Sequence, residues 1–353
     1  MIDARTQRHA FLALLAAALF GASTPAAKWL LGGGMGPMSL AALLYLGCGA
    51  GLLAVRAVGR ILGRPSAEAP LTRRHLPWLA GSTLCGGIAA PVLLFWGLAG
   101  TSASAASLLL STEGVMTTLI SALVFREAVG SRVWAGALVM LAAGAMLTYS
   151  PGADIGFSTH ALAVAGACAL WGLDNNLTRP ISEADPATIA MVKGCAAGSA
   201  NGLLALGVGE AAPAFSGAAA ALLLGSLAYG ASLLLYVIAL RHLGSARTAA
   251  HFGTAPFVGA VLSVATLGET VTPTLAAAFA LALAATWIVL GERHGHAHEH
   301  GMQEHAHRHT HDAHHGHAHS GTEGPEPHSH PHRHEPITHA HPHLPDLHHR
   351  HPH

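Results

Sequence analysis

The sequence has little charge, and it lacks the motifs that mark common enzyme and nucleic-acid-binding classes. Only 10% of its 353 residues are charged, and its formal net charge is zero, so we expect no basic surface for nucleic acid. It contains no phosphate-binding loop, no dinucleotide-binding glycine pattern, no GxSxG and no HExxH. We therefore predict that the chain is not an enzyme and does not bind nucleic acid.

Cysteine is also scarce. The four cysteines are spread singly through apolar stretches, as Cys48, Cys85, Cys168 and Cys195. Without a CxxC pair they predict neither a disulfide framework nor a zinc knuckle. We expect no required cofactor.

Apolar residues, by contrast, make up 51% of the chain. A bilayer core of roughly 30 Å needs about 20 apolar residues per helix, and stretches of that kind recur from Phe11 to Leu290. We predict an all-α polytopic membrane protein with ten transmembrane helices in a lipid bilayer. The predicted spans are 10–31, 36–57, 76–98, 102–124, 132–150, 158–178, 186–208, 216–240, 246–267 and 273–291.

Arginine is concentrated in every second connection between these spans. The alternate connections hold no Arg or Lys and carry only Asp154, Glu210 and Glu269. Because basic connections remain in the cytoplasm, the pattern predicts a multi-pass protein of the cytoplasmic membrane with both termini in the cytoplasm. The apolar N-terminal stretch lacks a convincing cleavage site, so we interpret it as a retained first span.

The two halves of the chain resemble each other. In span one, Leu19–Gly21 matches Leu170–Gly172 of span six. Setting Glu127 against Glu269 also aligns span four with span nine and places Thr112 on Thr254. Because five is an odd number, each five-span unit is inverted relative to the other, an architecture that recurs in transporters. The predicted units are 1–150 and 151–293, with a separate tail at 294–353.

These segments resemble the EamA-type, ten-helix members of the drug/metabolite transporter superfamily. The resemblance rests on ALFGASTPAAK at 18–28, ALWGLDNNLTR at 169–179, the ends of spans four and nine, and the glycines of span five. It covers residues 10–291 and implies secondary transport of a small solute, often export. The sequence departs from the family at Gly114, where a proline is usual, and in span ten, which lacks the expected glycines.

Glu113 is the strongest candidate for a functional residue. It lies about midway along span four, beside Thr112. A charge at the bilayer centre costs roughly 2.5–3.5 kcal/mol on insertion scales, so such residues usually face a cavity or a partner. One interpretation is a hydrogen-bonded glutamic acid that joins two helices. The other is a site for a substrate, a cation or a proton.

A second polar cluster comprises Asp174, Asn175 and Asn176 in span six, whose counterpart in span one includes Thr24. These side chains either cap a helix end or supply oxygen ligands to a cavity. In span nine, His251 aligns with a position one turn from Glu113, close to Thr254 and Pro256. We assign all three to the predicted cavity, although a single histidine can also bond a neighbouring helix.

The last segment contains 23 of the 28 histidines and almost no apolar residues, which predicts a disordered cytoplasmic tail. Neutral imidazoles bind nickel, cobalt, zinc and copper, so we expect metal binding there. The predicted ligands are His294, His296, His298, His300, His305, His307, His309, His311, His314, His315, His317 and His319.

Three functions fit these features. The first is export of a divalent transition metal, nickel, cobalt or zinc, with the tail collecting ions for the membrane site. The second is export of an amino acid, drug or other small metabolite, with the tail as a metal buffer. The third is a membrane-anchored metal-storage or sensing protein. The sequence leaves a homodimer open.

Overall fold

The computed structural model is a helical bundle followed by a short stranded tail. It describes residues 4–63, 68–125, 129–150, 156–182, 184–291, 295–300, 303–309, 328–334 and 337–342. For residues 4–6, 245, 246 and the four segments beyond 291 it describes the backbone alone.

The bundle has ten helical spans over the described residues, several of them interrupted. Span 1 comprises α1 Ala4–Gly21 and α2 Ser23–Gly32; span 2, α3 Pro37–Ile61; span 3, α4 Leu76–Ser82, a π-helical turn Thr83–Ala89 and α5 Ala90–Gly100; span 4, α6 Ala103–Leu109 and α7 Thr112–Leu123; span 5, α8 Ser131–Thr148; span 6, α9 Thr159–Thr178; span 7, α10 Pro186–Gly207; span 8, α11 Phe215–Leu224, a π-helical turn Gly225–Ala231 and α12 Ser232–Leu243; span 9, α13 Ser245–Phe252 and α14 Ala255–Leu267; span 10, α15 Pro273–Leu290. Short 3₁₀ turns precede span 3 at Arg73–His75 and follow span 6 at Arg179–Ile181.

This architecture confirms the predicted all-helical membrane class, with one correction to the span count. Within the described chain, nine of the ten spans are long and apolar enough to cross a membrane, and span 6 is not among them. Span 6 has 20 residues, but its polar residues Asp174, Asn175 and Asn176 lower its hydropathy. It packs between spans 3 and 4, and its Asp174 and Asn176 side chains are buried.

The packing of the spans has an internal symmetry. Spans 3 and 4 both pack on span 6. Their equivalents in the other half, spans 8 and 9, both pack on span 1. Spans 2 and 7, 4 and 9, and 5 and 10 pack against each other. Every one of these contacts is preserved when span n is exchanged for span n+5. The pairing is that expected of two five-span units related by a two-fold axis.

Four of the five interruptions follow the same symmetry, and the fifth, at Ala22 in span 1, has no counterpart in span 6. The π-helical turns lie in spans 3 and 8, and the breaks at Leu110–Ser111 and Gly253–Thr254 lie in spans 4 and 9. At the two breaks, the hydroxyl of Thr112 donates to the carbonyl of Leu109 at 2.7 Å, and that of Thr254 donates to the carbonyl of His251 at 2.6 Å. The sequence alignment of these spans is therefore matched by equivalent local structure.

The aligned glycines of spans 1 and 6 have equivalent positions in the packing. A Cβ added to Gly21 would overlap the carbonyl oxygen of Ala255 in span 9, and one added to Gly172 would come within 3.0 Å of Met116 and Thr117 in span 4. Only glycine lets these helix pairs approach so closely. The shared Gly21/Gly172 position thus has a packing cause.

The connections divide between the two ends of the bundle. We call one end the arginine face, because Arg60, Arg179 and Arg241 lie there, and the other the glutamate face, because Glu210 and Glu269 lie there. On the arginine face, Arg56 forms an ion pair with Asp185 at 2.7 Å, joining the end of span 2 to the start of span 7. Span 6 runs from the glutamate face to this face, and its crossing of the membrane stays a prediction.

The tail contains four short strands, β1 Gly295–His300, β2 Gln303–His309, β3 His328–His334 and β4 Ile337–Pro342. Antiparallel pairing joins β1 to β4 and β2 to β3. Isolated two-stranded pairs are marginally stable in water. The predicted disorder of the tail in solution therefore stays a prediction.

Candidate functional site

A cavity of about 490 Å³ lies in the middle of the bundle, lined by eight of the spans. Much of its wall is aromatic, from Phe20, Tyr45, Trp171, Tyr229, Tyr236 and Phe252. Its polar groups include those of Ser23, Thr24, Glu113, Asp174, Asn175, Lys193 and Ser232. A largely apolar wall with a few convergent polar groups, in this range of volume, is typical of a small-molecule site.

Asp174 and Lys193 form an ion pair in the cavity wall. The ammonium of Lys193 in span 7 donates to both carboxylate oxygens of Asp174 in span 6, each at 2.5 Å. Thr178 donates a further hydrogen bond to Asp174 at 3.1 Å. The Lys193 side chain is only 16% exposed and that of Asp174 only 9%. Each therefore neutralises the other away from water.

Glu113 lies in the same cavity. Within the described part of the chain, no lysine or arginine forms a hydrogen bond or an ion pair with it. Its Oε1 accepts a hydrogen bond of 2.9 Å from the side-chain amide of Asn175, which also donates to the hydroxyl of Thr117 at 3.1 Å. Glu113 follows directly after the break in span 4. The carboxylate thus belongs to the first turn of α7, next to the break at Leu110–Ser111.

The π-helical turn of span 3 supplies backbone acceptors to the same region. Pro91 has no N–H, so the carbonyls one turn earlier lack a helical donor. The carbonyl of Gly86 accepts hydrogen bonds from the hydroxyl of Tyr45 at 2.7 Å and the indole of Trp171 at 2.9 Å. The carbonyl of Gly87 accepts from Asn201 at 3.0 Å. Two aromatic walls of the cavity are thereby fixed to one turn.

Gly86 also leaves the space that Asp174 occupies. A Cβ added at Gly86 would overlap the Asp174 carboxylate. A glycine at position 86 is therefore needed for the Asp174 carboxylate to reach Lys193 in this position.

Buried apolar side chains pack at the ends of the first four spans nearest the glutamate face, including Leu30, Leu40, Leu98 and Ala103, each at most 5% exposed. Of the polar residues that line the cavity, Asn175 is exposed.

The structure brings together four of the predicted site residues. Thr24, Glu113, Asp174 and Asn175 all line the cavity. Three spans that are distant in sequence contribute them. Their meeting in one cavity is a property of the fold, because the sequence order does not indicate which spans line it.

The other predicted residues are not among the described residues that line the cavity. Thr112 and Thr254 donate hydrogen bonds within their own spans at the breaks, and Pro256 is the second residue of α14. Asn176 is buried and donates to the carbonyls of Gly172 and Thr117. It therefore ties span 6 to span 4.

His251 also faces its own helix rather than the cavity. Its Nδ1 lies 2.5 Å from the carbonyl of Arg247 and donates to it, since a carbonyl can only accept. The imidazole is thereby held one turn back along span 9. Its neighbour Phe252 lines the cavity instead.

Sequence reasoning missed Lys193 and the aromatic walls. Lys193, near the cytoplasmic end of span 7 in the sequence-based topology, has the pattern of a residue that extends to the membrane surface, but the structure pairs it with Asp174. A lysine and an aspartate both within the apolar part of the chain were a usable signal, because such charges usually pair. No sequence signal assigns the aromatic residues to one cavity.

The predicted metal ligands cannot be placed by their side chains. His296, His298, His300, His305, His307 and His309 lie in β1 and β2, where the backbone alone is described, and His294, His311, His314, His315, His317 and His319 lie outside the described residues. Among the residues whose side chains are described, no three of His, Cys, Asp or Glu come together as a metal site. Metal binding by the tail stays a prediction.

A bundle of membrane-spanning helices built from two equivalent units around a central solute-sized cavity defines a membrane transporter. A family model described as the EamA-like transporter family matches the chain twice, over residues 7–149 and 158–291. The chain belongs to the EamA-like transporter family.

Two individual proteins are also similar. An "Uncharacterized transporter" of Methanothermobacter thermautotrophicus is 28% identical over 272 residues, covering 72% of this chain and 78% of that protein. A protein of known crystal structure, 21% identical, has a TM-score of 0.58 and is covered over 95% of its length by 79% of this chain. At that identity the likeness concerns the fold alone.

Proposed function

We propose that this chain is a secondary transporter of small organic solutes that carry one positive charge, and that Glu113 binds that charge. The observation that carries the proposal is the arrangement of charges in the cavity. Asp174 is neutralised by Lys193, whereas the carboxylate of Glu113 is held by an amide, that of Asn175. One carboxylate is therefore left to receive a cation.

The aromatic wall favours an organic cation over a bare ion. A cation placed over an aromatic face gains roughly 0.5–2 kcal/mol, more when water is excluded. Tyr45, Trp171 and Tyr229 line the same cavity as Glu113. An organic cation can contact these rings and the carboxylate together, which a hydrated metal ion does less well.

Exchange for a proton follows from the same carboxylate. A carboxylate in a membrane cavity is costly when it is charged and unpaired, so Glu113 holds either the solute or a proton. Competition of the two for one site couples their movements in opposite directions. The interrupted spans 4 and 9 are the elements that would change as the cavity opens to one face and then the other.

We propose export across the cytoplasmic membrane, because protons that enter down their gradient drive out a solute that competes with them for Glu113. On the positive-inside rule the arginine face would be cytoplasmic, with both termini on that side. The units 1–150 and 151–293 form the pathway, and the tail 294–353 is an accessory.

Everted membrane vesicles test the proposal directly. We expect uptake of radiolabelled methyl-phenylpyridinium, an organic monocation, when a proton gradient is imposed. Glu113→Gln should lower its uptake at least about tenfold, because truncating one partner of a buried charge pair is costly. Glu68→Gln, the same change outside the cavity, should transport normally. Normal uptake by a well-expressed Glu113→Gln protein would contradict the role of Glu113.

Export of a divalent transition metal is the second candidate, and the histidine-rich tail favours it. In that function the tail collects nickel, cobalt or zinc, and Glu113 passes the ion through the cavity. Everted vesicles with radioactive nickel, cobalt or zinc would compare the full chain, a chain ending at Arg293 and Glu113→Gln. Metal uptake lost in Glu113→Gln supports this candidate. Metal bound by the tail but never moved indicates storage or sensing.

A further inference from the structure

Among the described residues that line the cavity, three are charged: Glu113, Asp174 and Lys193. Their formal charges sum to one negative charge. The sum depends on Lys193, because without its ammonium the two carboxylates would present two negative charges to a solute. Lys193 is thus in a position to decide how much positive charge the cavity accepts.

The ion pair is built into the cavity wall rather than lying on a surface. Both oxygens of Asp174 accept from the Lys193 ammonium, and Thr178 adds a third bond. Gly86 provides the space for the carboxylate. With the side chains 16% and 9% exposed, water does little to screen either charge.

A difference of one unit charge on the solute changes its binding free energy strongly in a buried cavity. Interactions between charges are several times stronger in a protein interior than in water, and specificity comes from differences in affinity between competing ligands. A dication in this cavity would leave one positive charge uncompensated. A monocation would be balanced by Glu113 alone.

We propose that Lys193 is the specificity-determining residue that restricts the cavity to monocationic solutes, by neutralising Asp174. This inference rests on the proposed function, since it concerns solutes held at Glu113. Lys193 acts through Asp174 and through the total charge, not through contact with the solute.

Two probes of similar size and different charge test the inference. Methyl-phenylpyridinium carries one positive charge, and methyl viologen carries two on a similar pair of rings. Binding of each to the purified full-length protein in detergent would be measured by equilibrium dialysis at one fixed ionic strength. The readout is the ratio of the two dissociation constants.

For Lys193→Gln we expect this ratio to shift by at least about tenfold towards methyl viologen, because one added buried charge exceeds 1.4 kcal/mol of interaction. The double variant Lys193→Gln/Asp174→Asn again has one carboxylate and should regain the wild-type ratio. Lys193→Arg keeps the charge and should also keep the ratio. Glu68→Gln controls for the purification.

The double variant keeps the test decisive if Lys193→Gln does not fold, because it leaves no unpaired charge. A double variant that has lost the preference for the monocation overturns the inference. So does an unchanged ratio in a folded Lys193→Gln protein, while wild-type binding of methyl-phenylpyridinium would leave the proposed function standing. A wild-type protein that binds neither probe sinks the proposed function, and the inference with it.

Discussion

Lys28 and Glu269 bind the two ends of the connection between span 3 and span 4. The ammonium of Lys28 donates to three carbonyls at the end of span 3, those of Leu98 at 2.7 Å, Ala99 at 3.1 Å and Thr101 at 2.8 Å. The Glu269 carboxylate accepts from the first backbone N–H groups of span 4, of Ala103 at 2.6 Å and Ser104 at 2.8 Å. Each charge complements the helix end that it binds.

Replacing Lys28 by methionine should destabilise the protein. The change keeps the apolar stem and removes the donor to three carbonyls, so we expect a loss of roughly 1.5–3 kcal/mol, the range for hydrogen bonds to charged groups. Thermal unfolding in detergent would measure it as a lower Tm. Trp29→Phe, the neighbouring and 66% exposed residue, is the control and should unfold near the wild-type temperature. Equal Tm values for Lys28→Met and wild type would contradict a stabilising role.

Alanine at Gly21 or Gly172 should be destabilising to a similar degree. Each added methyl meets the helix packed against it, and overpacking typically costs about 1–3 kcal/mol. Gly207→Ala is the matched control, because a Cβ there meets nothing within 4 Å, and alanine favours a helix by about 1 kcal/mol over glycine. Unfolding temperatures of the three variants would be compared. A stabilised Gly21→Ala protein would contradict the described packing of spans 1 and 9.

Tyr45 and Trp171 should be coupled through the carbonyl of Gly86. Tyr45→Phe and Trp171→Phe each leave one donor to that carbonyl, whereas the double change leaves a buried acceptor unsatisfied at a cost of about 1–3 kcal/mol. A double-mutant cycle of unfolding free energies would isolate this term from the volume lost with the indole. We expect the double change to cost more than the sum of the single ones. Simple additivity would show that the two bonds are independent.

Removing the tail should abolish high-capacity nickel binding and leave the bundle intact. We expect titration calorimetry to give nickel binding by the full chain and little by a chain that ends at Arg293, with the same Tm in the absence of metal. Imidazole ligates metal only when neutral. Binding by the full chain should therefore weaken as the pH falls through about 6.5, the ordinary histidine pKa. Equal nickel capacity in the two chains would contradict metal binding by the tail.

Local sequence predicted the helices well, because their signals are local. The predicted bounds differ from those of the structure by a few residues, and prolines begin spans 2, 7 and 10 at Pro37, Pro186 and Pro273. The repeat was detectable for the same reason, since Gly21 and Gly172 meet the same steric demand in each unit. The exception is span 6, whose polar residues keep its hydropathy below that of the other nine spans.

The site was predicted only in part. Glu113 and Asp174 stand out in sequence because a carboxylate in an apolar stretch needs a compensating environment. The partners could not be deduced, since Asn175 and Lys193 reach them from particular helix orientations. His251 is an example. The alignment put it one turn from Glu113, but its Nδ1 is bonded to the carbonyl of Arg247 in its own helix.

The amino-acid sequence by itself determined the membrane class, the spans, the duplication and the presence of carboxylates within apolar helices. Those properties follow from composition and local periodicity, which bilayer thickness and backbone hydrogen bonding constrain. Only the tertiary structure decided that Lys193 neutralises Asp174, that Glu113 is bound by an amide, and that Gly86 holds two aromatic walls. Such pairings depend on how spans far apart in sequence cross, and crossings are set by packing of the whole bundle.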